Sequence, residues 1–163
     1  MSTLSVVLPA YNEEEMLLKT ATTLKEILNR EGIKYQLVFV DDGSKDATWE
    51  KIKEAKKNDP NITGVYFSRN FGKEAAMLAG LDYSKGDYVT VMDADLQDPP
   101  SLLPEMLRII EEEGIEINES SLTGESIAVK KNNKIIKEDC EVCDQKKMLF
   151  SGGFSMKQIT KRL

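Results

Sequence analysis

The sequence predicts an α/β protein in which helices cover both faces of a parallel sheet. Short apolar runs rich in β-branched residues alternate, four times over, with stretches of helical periodicity, and the connections are short. The runs are continuously apolar, as in strands that are buried on both faces. The chain of 163 residues, 40% hydrophobic and 31% charged, has the length and composition of one globular domain.

The first two units each contain a strand and a helix. Residues 4–8 form the first predicted strand. Asn12 is the expected N-cap of the next helix, because acidic residues follow it directly, and Gly32 is the expected end of that helix. A second strand is predicted over residues 35–40, and its helix from Asp46 or Ala47 to residue 57.

The next two units repeat the pattern. The third strand is predicted over residues 63–67 and its helix over residues 74–83, with a polar turn between them. The fourth strand, residues 88–92, is followed by Pro99 and Pro100, which cannot extend a strand but can start a helix. That helix is predicted over residues 102–110.

Two carboxylates follow the fourth strand at positions i and i+2. Because side chains alternate along a strand, Asp93 and Asp95 are expected to project to the same side. Such a pair suits a hard divalent cation that takes its remaining ligands from phosphates and water. The alternative is that the motif is only a solvated strand end.

Each predicted strand ends in a polar cluster. The clusters lie at residues 11–13, 41–44, 69–73 and 93–98. Because the carboxyl ends of parallel strands share one edge of a sheet, where ligands bind, the clusters predict a phosphate-containing ligand at this edge.

Composition excludes several classes of function. The net charge of −6 argues against a sequence-independent nucleic-acid partner. The chain contains no His, which excludes imidazole general-base catalysis and His-ligated zinc. We find no secretory signal, and no apolar run approaches the roughly 20 residues of a transmembrane helix. The expected location is therefore cytoplasmic.

Four motifs carry a family resemblance. They are VLPAYNE at residues 7–13, VDDGS at 40–44, RNFGK at 69–73 and DADLQDPP at 93–100. In order and spacing they resemble family 2 glycosyltransferases, most of all the branch that moves a sugar from a nucleotide to a polyisoprenyl phosphate. The resemblance runs from about residue 4 to residue 110 and implies a Rossmann-like nucleotide-diphospho-sugar transferase sheet, here truncated.

The resemblance also implies roles for individual residues. The nucleoside of a UDP- or GDP-linked sugar would be bound by Pro9, Tyr11, Glu13 and Asp42, with Asp41 beside them. Asp93 and Asp95, as the catalytic carboxylates, would hold Mn²⁺ or Mg²⁺ together with Gln97. Arg69 and Lys73 are candidate phosphate partners, or else ordinary turn and helix-start residues.

The implied reaction is transfer of the sugar, with inversion, to a lipid phosphate at the cytosolic face of a membrane. Because the acceptor is already an anion, it needs little help from a general base. The alternative is a nucleotide-binding module with little turnover, because acceptor placement supplies much of the rate.

The pattern changes after residue 110, and the net charge changes from acidic to basic. The segment from residue 114 resembles the actuator-domain loop of P-type cation-transporting ATPases, mostly of the calcium type, through Thr123, Gly124, Glu125 and Ser126. We therefore divide the chain into an incomplete glycosyltransferase-like domain (1–113), an actuator-like β segment (114–153) and a basic tail (154–163). A chimeric chain whose C-terminal part carries the function is the third hypothesis.

The local structure expected for this C-terminal part is β-rich. A polar hairpin or meander around Thr123 and Gly124 is predicted, with strands over residues 127–131 and 134–137. Cys140 and Cys143 could form half of a zinc site or a redox pair, but free thiols are the preferred interpretation.

Overall fold

A five-stranded parallel sheet forms the centre of the molecule in the computed structural model, which describes residues 2–113, 115–118, 128–131 and 148–150. The order of its strands is β3-β2-β1-β4-β7, and all four pairings are parallel. The strands are β1 (Thr3–Ala10), β2 (Lys34–Asp41), β3 (Ile62–Tyr66), β4 (Tyr88–Val91), β5 (Ile115–Asn118), β6 (Ala128–Lys131) and β7 (Met148–Phe150).

The helices follow the strands as the sequence predicts. They are α1 (Leu17–Arg30), α2 (Thr48–Asn58), α3 (Lys73–Asp82) and α4 (Leu103–Glu113), and a 3₁₀ turn over Pro100–Leu102 leads into α4. The α/β class and the four successive strand–helix units are confirmed.

Both faces of the sheet carry an apolar core. On one face, Val6, Leu8 and Phe39 belong to a cluster that also contains residues of α1, α2 and α4. On the other face, Val7 packs with Ala76 of α3. Adjacent residues of β1 thus serve opposite faces, as the alternation of strand side chains requires.

The start of α1 differs from the prediction that Asn12 caps it. The helix begins at Leu17 after Met16, which makes no side-chain cap, and Asn12 instead accepts a hydrogen bond from the backbone N–H of Lys45, at 2.9 Å. The cap prediction is wrong because the side chain pairs with a neighbouring loop. The predicted end of α1 is confirmed: Gly32 adopts a φ of 67°, and Ile33 N–H bonds back to the carbonyl of Leu28.

The described part of the C-terminal region is made of strands. β5 and β6 pair antiparallel on either side of the predicted turn, whereas β7 extends the central sheet next to β4. The sequence analysis predicted no strand at β7. The expected strand over 134–137 lies outside the described residues, as do Cys140 and Cys143. None of the helices in the described part of the chain has the length and apolar composition needed to cross a bilayer.

Candidate functional site

A cavity of about 410 Å³ lies at the carboxyl edge of the sheet, between the loops that follow β1 and β4. The strand order reverses direction here, because β2 and β3 lie on one side of β1 and β4 lies on the other. Open parallel sheets bind ligands at such a point. Seven of the residues predicted from the sequence line this cavity: Pro9, Tyr11, Glu13, Asp42, Lys73, Asp93 and Asp95.

The loop before α3 is held in place by Asp42. The two carboxylate oxygens of this buried residue accept hydrogen bonds from the backbone N–H groups of Phe71 (2.7 Å) and Gly72 (3.0 Å). Backbone donors to a charged acceptor make strong hydrogen bonds. Asp42 therefore ties the end of β2 to the loop that carries Lys73 into the cavity.

Gly43 permits this arrangement. Its φ is +69°, and a Cβ at this position would lie 2.3 Å from the carbonyl carbon of Arg69 and 2.6 Å from the backbone nitrogen of Asn70. Only glycine has both the conformational freedom and the lack of a side chain that this contact needs. The glycine of the VDDGS motif thus lets the two loops touch.

The loops after β1 and β2 are also joined by hydrogen bonds. The backbone N–H of Asn12 donates to Ser44 Oγ at 2.9 Å, and that of Glu13 donates to Thr48 Oγ1 at 2.8 Å. Asn12 has a φ of 56°, a conformation that residues other than glycine adopt at a cost. These contacts fix the backbone on which Tyr11 and Glu13 are presented to the cavity.

The turn that carries the two aspartates is held by a hydrogen bond from helix α1. The buried hydroxyl of Thr20, on α1, donates a hydrogen bond of 2.6 Å to the carbonyl of Ala94, which lies between them. Leu96 follows with a φ of 62°, and the backbone N–H of Gln97 donates to Asp95 Oδ1 at 3.1 Å. The peptide geometry of the turn is therefore defined on both sides of Asp95.

Acidic side chains line the cavity, and the ammonium group of Lys73 pairs with one of them. Lys73 Nζ lies 2.6 Å from Asp93 Oδ1. Partial burial, followed by the negative charges of Asp95, Asp46 and Asp93, raises the pKa of Glu13 above its ordinary value. Carboxylates that repel one another in this way stabilise a bound cation, because the cation relieves the repulsion.

The donor set fits a cation that completes its coordination with other molecules. Asp93 and Asp95 line the same cavity and offer hard oxygen atoms. In the part of the chain that the structure describes, no three acidic or cysteine side chains form a group that could hold a metal ion alone. The pair of Asp93 and Asp95 fits a Mg²⁺-type site, in which one or two carboxylates share the ion with phosphates and water.

The profile of glycosyl transferase family 2 matches residues 5–154 of the sequence. The chain belongs to this family. The match includes the whole of the segment assigned above to an ATPase-like actuator loop (114–153), and the comparisons give no support to that assignment. Thr123, Gly124, Glu125 and Ser126 lie outside the described residues, and the domain division at residue 113 stays a prediction.

Several relatives match nearly two thirds of this family 2 chain. The uncharacterized glycosyltransferase YkcC of Bacillus subtilis is 47% identical over 103 residues, which are 63% of this chain and 32% of that protein. The bactoprenol glucosyl transferase of Shigella phage SfV is 41% identical over 104 residues, 64% of this chain and 34% of that protein. The chain thus spans about a third of the length of the relatives it matches.

Solved structures of related fold support the architecture. The mannosyltransferase PcManGT from Pyrobaculum calidifontis, solved in complex with GDP-Man and Mn²⁺, superposes with a TM-score of 0.62 at 23% identity, covering 71% of this chain and 34% of that one. The mannosyl-3-phosphoglycerate synthase from Rubrobacter xylanophilus gives a TM-score of 0.58 at 22% identity, covering 71% and 38%. The predicted transferase-type sheet is confirmed.

Three predicted site residues of the family 2 chain are not among those that line the cavity. Asp41 is fully buried and accepts a hydrogen bond from the backbone N–H of Ser44 at 2.8 Å. The guanidinium of Arg69 stacks over the ring of Phe71, 4.6 Å from its centroid. Gln97 has an exposed side chain and contacts Asp95 through its backbone. The binding roles of all ten residues stay predictions.

Sequence reasoning missed five residues that line the cavity: Ala10, Asn70, Gly72, Ala76 and Ala94. Asn70 and Gly72 lie within the RNFGK motif, so the motif itself carried the signal. The three alanines have no chemical group to mark them. Ala10 lies at the end of β1, Ala76 in α3 and Ala94 in the turn between the two aspartates.

Proposed function

We propose that this chain is the donor-binding part of a glycosyltransferase, which transfers a sugar from a UDP- or GDP-linked donor to a polyisoprenyl phosphate with inversion. The observation that carries the proposal is the cavity at the reversal of strand order, where carboxylates and one ammonium group from four loops meet in a family 2 chain. The acceptor class is supported by relatives named bactoprenol glucosyl transferases, which are 40–41% identical over the aligned residues.

The nucleoside is assigned to the part of the cavity formed by the loops after β1 and β2. Tyr11 is 40% exposed and presents an aromatic ring at the wall, and Glu13 lies beside it. Carboxylate oxygens can accept hydrogen bonds from a base or from ribose hydroxyls. Asp42 has already bonded two backbone N–H groups, so it contributes its remaining lone pairs and keeps the loop in place.

The diphosphate is assigned to the other part of the cavity. Asp93 and Asp95 would hold Mn²⁺ or Mg²⁺ there, and Lys73 provides a positive charge from this chain. The bound ion would neutralise the charge that develops on the departing nucleoside diphosphate. Gln97 would support the ion indirectly, because its backbone N–H orients the Asp95 carboxylate.

The proposed transfer is one displacement at the anomeric carbon of the sugar. A phosphate oxygen of the acceptor forms the new bond, while the bond from the anomeric carbon to the diphosphate breaks and the nucleoside diphosphate leaves with the electron pair. The residues of this chain act by orienting the donor, since positioning two reactants supplies a large part of the rate. We place the reaction at the cytosolic face of a membrane because the acceptor is a lipid.

The test is a calorimetric titration of the protein with UDP and with GDP, each with and without Mn²⁺. We expect binding of at least one nucleotide, and only when the metal is present. A folded protein that binds neither nucleotide would refute the proposal. Where binding is found, incubation with labelled UDP- or GDP-sugars and a polyisoprenyl phosphate separates a transferase, which yields labelled lipid, from a module that only binds.

A further inference from the structure

Lys73 and Asp93 form an ion pair at the wall of the cavity. The ammonium nitrogen lies 2.6 Å from Asp93 Oδ1. Four acidic side chains line the same cavity, those of Glu13, Asp42, Asp93 and Asp95, and Lys73 is the single lysine or arginine among the described residues that line it. One positive charge thus faces a cluster of negative ones.

This ion pair is easily exchanged. The side chain of Lys73 is 53% exposed and that of Asp93 is 34% exposed, so water screens their attraction and the pair adds little to the stability of the fold. Lys73 is also the first residue of α3, and the N-terminal end of a helix favours anions over cations. The ammonium is held at this position by Asp93 and not by the helix.

We propose that Lys73 is an exchangeable counter-ion of Asp93. In the metal-free protein its ammonium group neutralises this carboxylate. When a divalent cation is coordinated by Asp93, the flexible lysine side chain releases the carboxylate and pairs with the diphosphate of the donor. The inference rests on the proposed function, since it needs both a cation and a nucleotide in this cavity.

Such an exchange has opposite effects on two affinities. Without nucleotide, Lys73 competes with the metal for Asp93 and reduces the negative charge of the cavity, so its removal strengthens metal binding. With nucleotide and metal present, the same lysine attracts the diphosphate, so its removal weakens nucleotide binding. A lysine that serves only the fold, or only the nucleotide, does not give this change of sign.

The experiment compares the whole chain with the variants Lys73→Met and Lys73→Arg. Calorimetry measures the affinity for Mn²⁺ alone, and then the affinity for UDP or GDP at saturating Mn²⁺. For Lys73→Met we expect Mn²⁺ to bind about five-fold more tightly and the nucleotide about ten-fold more weakly, the scale of one partly screened charge. Lys73→Arg keeps the charge, and both affinities should stay within about three-fold of the parent.

Lys57→Met is the matched control. Lys57 lies in the last turn of α2, and its side chain is exposed. The loop from β2, which leads to the cavity, is at the opposite end of this helix. We expect neither affinity to change in this variant. If the parent binds nucleotide at saturating Mn²⁺, and Lys73→Met does not bind Mn²⁺ alone more tightly than the parent or does not bind nucleotide more weakly, the inference is overturned and the proposed function stands. If the parent binds neither ligand, both are overturned.

Discussion

The hydroxyl of Thr20 donates a hydrogen bond of 2.6 Å to the carbonyl oxygen of Ala94, across 74 residues of sequence. Both residues are buried, with exposed fractions of 0% and 2%. The bond joins the first helix to the peptide between Asp93 and Asp95. A contact in the core thereby sets the position of the two carboxylates that face the cavity.

The first prediction concerns this contact. Thr20→Val keeps the shape of the side chain but leaves the carbonyl of Ala94 without its donor, and we expect the free energy of unfolding to fall by about 1–3 kcal/mol. Because the turn is no longer anchored, Mn²⁺ affinity should fall as well. Urea unfolding and calorimetry measure the two effects.

The control for Thr20 is available on the same helix. The exposed Thr22 donates its hydroxyl hydrogen bond to the carbonyl of Leu18 within the helix, at 2.9 Å. Thr22→Val should leave Mn²⁺ affinity unchanged. Equal losses of metal affinity in both variants would show that the contact between Thr20 and Ala94 does not position the site.

The second prediction tests the metal assignment. Asp95→Ala should abolish metal-dependent nucleotide binding. It should change the free energy of unfolding by less than about 1 kcal/mol, because it removes a partly exposed carboxylate that accepts a hydrogen bond from the backbone N–H of Gln97. Asp82→Ala, at the exposed end of α3, removes the same group away from the cavity and should bind as the parent does. Nucleotide binding by Asp95→Ala at parental affinity would show that the metal assignment is wrong.

The third prediction concerns the close approach of two loops at Gly43. Gly43→Ala should lower the free energy of unfolding by more than about 2 kcal/mol, because it adds backbone strain at a positive φ and places a methyl group against the backbone of Arg69 and Asn70. Gly32→Ala is the comparison: its φ of 67° carries the same backbone strain as that of Gly43, but Gly32 is exposed and follows α1, away from this contact between loops. We expect the smaller loss for Gly32→Ala in thermal unfolding; the reverse order would argue against the steric account.

The fourth prediction is a pH dependence at the far edge of the sheet. Tyr35 donates a hydrogen bond of 2.7 Å to the buried carboxylate of Asp59. Burial, and then the hydrogen bond to Asp59, raises the pKa of the Tyr35 phenol above 10.0. The folded protein thus holds the phenolic proton more tightly than the unfolded chain. The stability from Tyr35 is fully present below pH 10 and is lost as the pH rises through the folded-state pKa.

The variant Tyr35→Phe separates the contribution of the hydrogen bond from that of the ionisation of the phenol. At pH 7 the variant should be less stable by about 1–3 kcal/mol, because Asp59 loses a donor. Above pH 10 the free energy of unfolding of the parent should fall more steeply than that of the variant, so their difference narrows. Tyr83→Phe, at a side chain that is 53% exposed, serves as the control and should follow the parent. A constant difference across this pH range would contradict the prediction.

Much of the fold follows from local sequence. The continuous apolar runs of β1 and β2 and the helical periodicity after them are short-range signals, and the structure bears them out. The prediction for Asn12 failed because a capping side chain can pair with any nearby backbone N–H, and here it accepts from Lys45 in the loop after β2. β7 was missed for a similar reason: three residues become a strand only because β4 offers an edge to pair with.

The amino-acid sequence sufficed for the α/β class, the order of its elements, the family and the motifs from which the candidate site is assembled, because each of these depends on residues close together in the chain. Folding was needed to reveal how those motifs meet. Seven predicted residues converge on one cavity. Asp41 and Arg69 instead contact residues of their own loops. The buried Thr20 of α1 supports the turn that carries Asp93 and Asp95. Such contacts join residues far apart in sequence, and their partners depend on the packing of the whole sheet.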